Sequence, residues 1–250
     1  MQGLGYSVCA ISYVALVPGY VRQAVGSTWL LQLKQVLNNA GDMSKLHLSD
    51  LIPDFVKKHS DRLMPISGHE VYRRILDHPV TILAVNIRFL QTIPGILRAA
   101  EENDAIVSFD LGTEAANLDG GFTGLTPQVF VESLFEMMER VSFTKRFILH
   151  AEHIQRPDSP PVDIEAAKEL FRAEHRLGFT SFSVDATTTD SYLPNTIELA
   201  SEISRWRVGL EVAMDEIEGS RGELSSVEEC METVTALHRK VIKPDLLAIA

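Results

Sequence analysis

From Val80 onward, short apolar β-branched runs alternate with longer stretches of helical spacing. That alternation limits the fold more than any other property of these 250 residues. The runs fall at residues 80–87, 105–109, 146–149, 179–184, 207–212 and 245–250. Between them, apolar side chains recur at helical spacing over residues 92–102, 126–141, 163–177, 194–206 and 226–239. Near-continuous apolar runs are what a strand buried on both faces requires, and such strands belong to parallel sheets covered by helices. Strand followed by helix, repeated, predicts a parallel α/β fold. Start signals agree: Thr126 precedes Pro127 as N-cap before a first-position proline, and Asp163 caps the next helix. Phe130, Leu134, Met137, Met138 and Val141 form one helical face and read as core.

Five of the six runs carry a polar residue at or just past their end. Asn86, Asp110, Glu152 with His153, Asp185 and Glu211 occupy equivalent points in five consecutive units. Convergence of this kind is expected at the C-terminal face of a (β/α)8 TIM barrel. The densest point is Phe147-Ile148-Leu149-His150-Ala151-Glu152-His153, an apolar run ending in three ionisable side chains. Neighbours on a strand point to opposite faces, so Glu152 and His153 share a pocket only if the backbone turns there. An open doubly wound sheet is the rival, but no G-x-G-x-x-G follows the first strand. Six strands are fewer than a closed barrel needs. The expectation is a barrel truncated after its sixth strand, with a dimer or swapped partner covering the edge as the second choice.

Residues before Val80 divide in two. Residues 43–79 read as a helical lead-in, with helices near 51–58 and 69–77 packed beneath the barrel and Ser67 or Gly68 as the second N-cap. His47, His59, His69 and His78 there read as solvated or capping. Residues 1–42 are an atypical segment, read either as upstream sequence translated in frame before Met43 or as an N-terminal helix around Trp29–Leu37. Its apolar run at 8–17 is short against the roughly 20 residues of a membrane span, and no basic region precedes it. The formal net charge of −11 argues against nucleic acid as the main partner. Cys9 and Cys230 form no metal or redox motif, which suits a reducing cytoplasm.

Several segments carry a resemblance. Ala84-Val85-Asn86-Ile87 with the helix around Ile96–Glu102 resembles the first strand and helix of class II, metal-dependent ketose-bisphosphate aldolases. His150-Ala151-Glu152-His153 resembles their third-strand L-H-x-D-H motif. Residues 178–186, reading GFTSFSVDA, are similar to their G-F-T-S-V-M-I-D segment, and Val208-Gly209-Leu210-Glu211-Val212 stands where they carry a Glu-containing strand. The likeness is co-linear from Val80 to Ala250. Residues 120–127, reading GGFTGLTP, are more similar to a segment of the accessory, non-catalytic subunits of tagatose-bisphosphate aldolase. The chain stands between the two branches.

The resemblance implies a divalent metal, zinc by preference, that polarises a ketose carbonyl. It implies metal ligation by His153, Glu211 and Asp185, proton transfer by Glu152, and substrate contacts from Asn86 and Asp110. Asp215 competes with Glu211 for its place. The family carries Asp where this chain has Glu152, and one extra methylene displaces the carboxylate by a bond length. Two further histidine ligands of the family lie beyond Ala250, so zinc binding by these residues is expected to be weak or absent. The implied activity is aldol cleavage or condensation of a phosphorylated ketose, in a homo-oligomer or beside a partner aldolase subunit. The alternatives are an accessory subunit without turnover, or a barrel acting on a non-phosphorylated sugar acid. Simpler roles stay open at single positions: Asn86 bonding to backbone, Asp110 and Asp185 capping helices, His150 as a hydrogen-bonded core histidine, and residues 120–124 as a flexible loop or a phosphate cradle.

Overall fold

The computed structural model describes residues 63, 65–76, 81–152, 163–186, 192–213 and 226–248. A helix α1 (Gly68–Ile75) precedes six strands: β1 (Leu83–Asn86), β2 (Val107–Gly112), β3 (Phe147–Glu152), β4 (Ser181–Val184), β5 (Gly209–Ala213) and β6 (Leu246–Ala248). Between them run α2 (Ile93–Glu102), α3 (Pro127–Arg140), α4 (Ile164–Arg176), α5 (Tyr192–Ile203) and α6 (Val227–Arg239). All six strands join one sheet in sequence order, and every neighbouring pair is parallel. Six consecutive parallel strands with a helix between each successive pair are the architecture of a TIM-type barrel over six of its strands. The expected helix near 51–58 and all of residues 1–42 lie outside the described residues.

Local chemistry explains the helix starts. Thr126 Oγ1 accepts from Val129 N at 3.3 Å, and Asp163 Oδ1 accepts from Ala166 N at 3.0 Å. Ser226 forms a reciprocal capping box with Glu229. Val141, expected on the apolar face of α3, is instead the exposed residue that ends it. The helix ends there, and Ser142 at φ 53° turns the chain away.

Period two along the strands sorts the side chains. Val107, Phe109 and Leu111 of β2 and Phe147, Leu149 and Ala151 of β3 face the helices and join the main core. Phe147 is central there, with ring centroids 6.0 Å from Phe109, 6.2 Å from Phe135 and 6.2 Å from Phe143. The alternate residues, Ser108 and Asp110, Ile148, His150 and Glu152, Ser181 and Ser183, and Glu211, face the barrel interior.

The strands do not stop where the apolar runs stop. β2 was expected to end at Phe109 and β3 at Leu149, yet their pairing continues from Asp110 with His150 to Gly112 with Glu152. Asp110 is therefore a mid-strand residue. The hydrophobic pattern fails here because the inward face of a barrel can bury polar groups among themselves.

Helix α1 closes the lower end of the interior. Tyr72 and Val71 pack with Ile66 and Ile148, against Ile82, Ile106 and Leu246. The chain leading into α1 is bonded to the strand starts: Ile66 N donates to Phe147 O at 2.8 Å, and Gly68 N to Thr180 O at 2.9 Å. Ser67 holds the N-cap position without capping; its hydroxyl donates to Arg207 O at 3.0 Å. His69, read as solvated or capping, bonds through Nδ1 to Asp245 Oδ1 at 2.7 Å, and Asp245 Oδ2 accepts from Leu210 N at 3.0 Å. No helix among the described residues is long and apolar enough to cross a membrane.

Candidate functional site

Above the Tyr72 plug lies a cavity of about 50 Å³ lined by Tyr72, Ser108, Asp110, His150, Glu152 and Glu211 among others. It has room for one or two waters and not for a sugar, which needs a pocket of roughly 300 Å³ or more. The cavity and its lining form the floor of the barrel interior.

Three carboxyl groups on that floor are almost fully buried: Asp110 is 6% exposed, Glu152 7% and Glu211 8%. Burying carboxylates without a cation favours their protonated forms. Burial, reinforced by the charge of Glu152, pushes Glu211 up to about 8, while the Ser183 hydroxyl pulls weakly the other way. Burial and then Glu152 likewise hold Asp110 well above the carboxylate range, against its bond from Ser108 Oγ at 2.6 Å. The floor thus keeps protons at neutral pH, a property of sites that move them.

Glu152 ends β3, where its Oε2 accepts from Asn86 Nδ2 at 3.0 Å across β2. Asn86 was expected to touch substrate or bond to backbone; in the structure its amide nitrogen donates to Glu152. Its Oδ1 is buried without a hydrogen-bond partner among the described residues. Asp185 follows β4, is buried, and raises the proton affinity of Glu211 through its charge. Of the residues singled out from sequence, Asn86, Asp110, Glu152, Asp185 and Glu211 come together around the interior. His153 and Asp215 lie outside the described residues.

His150 is buried, with Nδ1 2.9 Å from Ser181 Oγ, as expected for a hydrogen-bonded core histidine. Tyr72, Ser108, Ser181 and Ser183 were not picked out as site residues. The alternation of small polar residues at 181, 183 and 185, and at 108 and 110, was the available signal.

Among the described residues, no three His, Cys, Asp or Glu side chains form a group that could hold a metal ion. The imidazole of His150 is engaged at Nδ1. These residues do not by themselves fit the divalent metal implied by the resemblance.

Residues 120–124 do not form a phosphate cradle. Gly120 N donates to Asn117 O, Gly121 N to Asn117 Oδ1, Phe122 N to Glu114 O, Thr123 N to Ala115 O and Gly124 N to Gly121 O. Every amide of the loop is used internally, and positive φ at Gly120, Gly121 and Gly124 makes this possible. A Cβ at Gly121 would stand 2.5 Å from Ala115 O. The loop is a braced turn that displays Phe122, with Arg88 5.8 Å from its ring centroid.

Residues 67–250 match the family described as fructose-bisphosphate aldolase class-II. A D-tagatose-1,6-bisphosphate aldolase subunit GatZ from Shigella flexneri serotype 5b is 32% identical over 101 residues, covering 38% of this chain and 24% of the relative. A GatZ subunit from Escherichia coli O1:K1 is 29% identical over 103 residues, at the same coverage. The matched segment thus spans about a quarter of the length of these curated relatives. Among solved structures, a probable tagatose 6 phosphate kinase from Sinorhizobium meliloti 1021 superposes with a TM-score of 0.51 at 18% identity. It covers 62% of this chain and 43% of its own, a likeness of fold.

Proposed function

Because this chain belongs to the class-II fructose-bisphosphate aldolase family, we propose that it cleaves and condenses a phosphorylated ketose, with Glu152 moving the proton. The observation that carries this reading is the placement of Glu152: buried at the end of β3, oriented by Asn86, and surrounded by carboxyls that hold protons. In the cleavage direction, a base takes the proton of the hydroxyl β to the ketose carbonyl. The carbon–carbon bond then breaks to give an aldehyde and an enolate, and reprotonation of the enolate completes the step. A carboxylate held in place in the cavity lining suits that first transfer. A divalent cation would need His153 together with Asp185 and Glu211 as ligands, and Asp110 and Asn86 shape the floor beneath the substrate.

The test is a coupled assay of the purified protein on fructose- and tagatose-1,6-bisphosphate, with and without added divalent cation. Glu152→Gln should lower kcat by roughly 10²-fold or more, in line with loss of a general base. Turnover unchanged in both Glu152→Gln and His153→Ala would overturn the assignment.

A second reading is supported by the curated relatives, which are named as subunits of tagatose-bisphosphate aldolase. Under it the protein turns over nothing alone and stabilises a catalytic partner. Its mark in the same assay is no activity by itself, together with a longer half-life of an added tagatose-bisphosphate aldolase.

A further inference from the structure

Among the described residues, Arg88 is the one lysine or arginine in a segment that joins the C-terminal end of a strand to the next helix. The others lie on helices or in turns that lead into strands. Pairing of β1 with β2 continues up to it: Asn86 opposes Asp110, and Ile87 N donates to Asp110 O at 3.1 Å. Arg88 follows at once, its Cα no more than about 7 Å from that of Asn86. The Asn86 amide in turn donates to Glu152.

The Arg88 guanidinium is held by a ring and by no acid. It lies 5.8 Å from the centroid of Phe122 and makes no ion pair or hydrogen bond among the described residues. Arg74, Arg140 and Lys145, by contrast, are each closed by a carboxylate. Phe122 is 60% exposed, so filling the core does not explain it. Its backbone is fixed by the internally bonded turn, which Gly121 alone can enter without a clash. A ring attracts the cation yet offers no oxygen acceptor, so the N–H fork stays available to an oxyanion. A phosphate monoester matches that planar fork with two oxygens at once.

We propose that Arg88 binds a phosphate of a phosphorylated sugar, with Phe122 as the residue that positions its guanidinium. The sugar rests on the aldolase reading given above; the phosphate contact rests on Arg88 itself. The cavity lining holds no lysine or arginine, so among the described residues Arg88 is where a phosphate beside the strand ends meets a cation.

The deciding measurement is calorimetric titration of the full chain with fructose-1,6-bisphosphate, inorganic phosphate and fructose. The wild type should bind the bisphosphate, bind inorganic phosphate more weakly and show no saturable binding of fructose. Arg88→Gln should weaken the bisphosphate roughly tenfold or more, the size of a lost charge-assisted hydrogen bond. Arg88→Lys, which keeps the charge without the fork, should fall between. Phe122→Leu should weaken binding in the wild type and add nothing in the Arg88→Gln background, because it acts through Arg88. Equal affinity in the wild type and Arg88→Gln, or no binding of the bisphosphate by the wild type, would overturn the assignment. Binding that depends on Arg88 without turnover strikes the aldolase reading and leaves the phosphate site standing. Turnover with KM unchanged in Arg88→Gln strikes the site and leaves that reading.

Discussion

Glu211 shows how a single buried group ties stability to pH. Its carboxyl moves from an ordinary 4.5 to about 8 on folding, so between those values the folded chain holds a proton that the unfolded chain has lost. Unfolding there releases that proton, and rising pH favours it. The contribution is complete below about pH 4.5, declines as pH climbs towards 8, and is gone above it. Melting temperature measured across that window should fall with pH, and Glu211→Gln should flatten the slope by removing the titrating group. A slope unchanged in Glu211→Gln would assign the effect elsewhere, with Asp110 the next group to replace. Glu152 differs in kind. Its extra methylene, which from sequence looked like a misfit for the family's shorter acid, is held at a defined point by the Asn86 amide.

Among the elements, the contact of α1 with the strand starts depends most on small residues. Gly209→Ala forces a methyl against Ser181 Oγ and the Tyr72 ring, and overpacking of this kind costs about 1–3 kcal/mol. Denaturant melts should show that loss. Phe147→Ala, which empties the centre of an aromatic group on the helix side of β3, should cost about 3–5 kcal/mol. Ser226→Ala breaks the capping box of α6 and should cost about 1 kcal/mol. The elements themselves were largely legible in sequence, because buried parallel strands and amphipathic helices write different periods into the chain. Thr126, Asp163 and Ser226 marked helix starts for the same local reason. The ends of β2 and β3 were misplaced because the polarity of Asp110, His150 and Glu152 looks like a strand end when only neighbours in sequence are considered. Tyr72, whose Oη lies 3.1 Å from Ser181 Oγ, was missed because that partner is distant along the chain, and no local period records such a pairing.

At the scale of the whole molecule, the plug and the arc of strands are one cooperative body. α1 and its lead-in bond to residues at the starts of β3, β4 and β5, and His69 ties the helix to Asp245 ahead of β6. Unfolding of a Trp29→Phe variant, followed by Trp206 fluorescence and by far-UV circular dichroism, should therefore give coincident transitions. An early loss of helix signal would show that α1 detaches alone. The convergence of Asn86, Asp110, Glu152, Asp185 and Glu211 was legible because a sequential parallel sheet brings equivalent positions of successive units to one end. Which of them meet was not, since that depends on strand phase. The carboxyl floor also gives the barrel mouth a polarity of its own. Its described lining contains no lysine or arginine, so a phosphate dianion lowered towards it meets three acids, one imidazole and the hydroxyls of Ser108 and Tyr72. A hydroxyl lowered the same way finds acceptors. Among its described lining, the interior favours hydroxyls by offering no cation to a charged group.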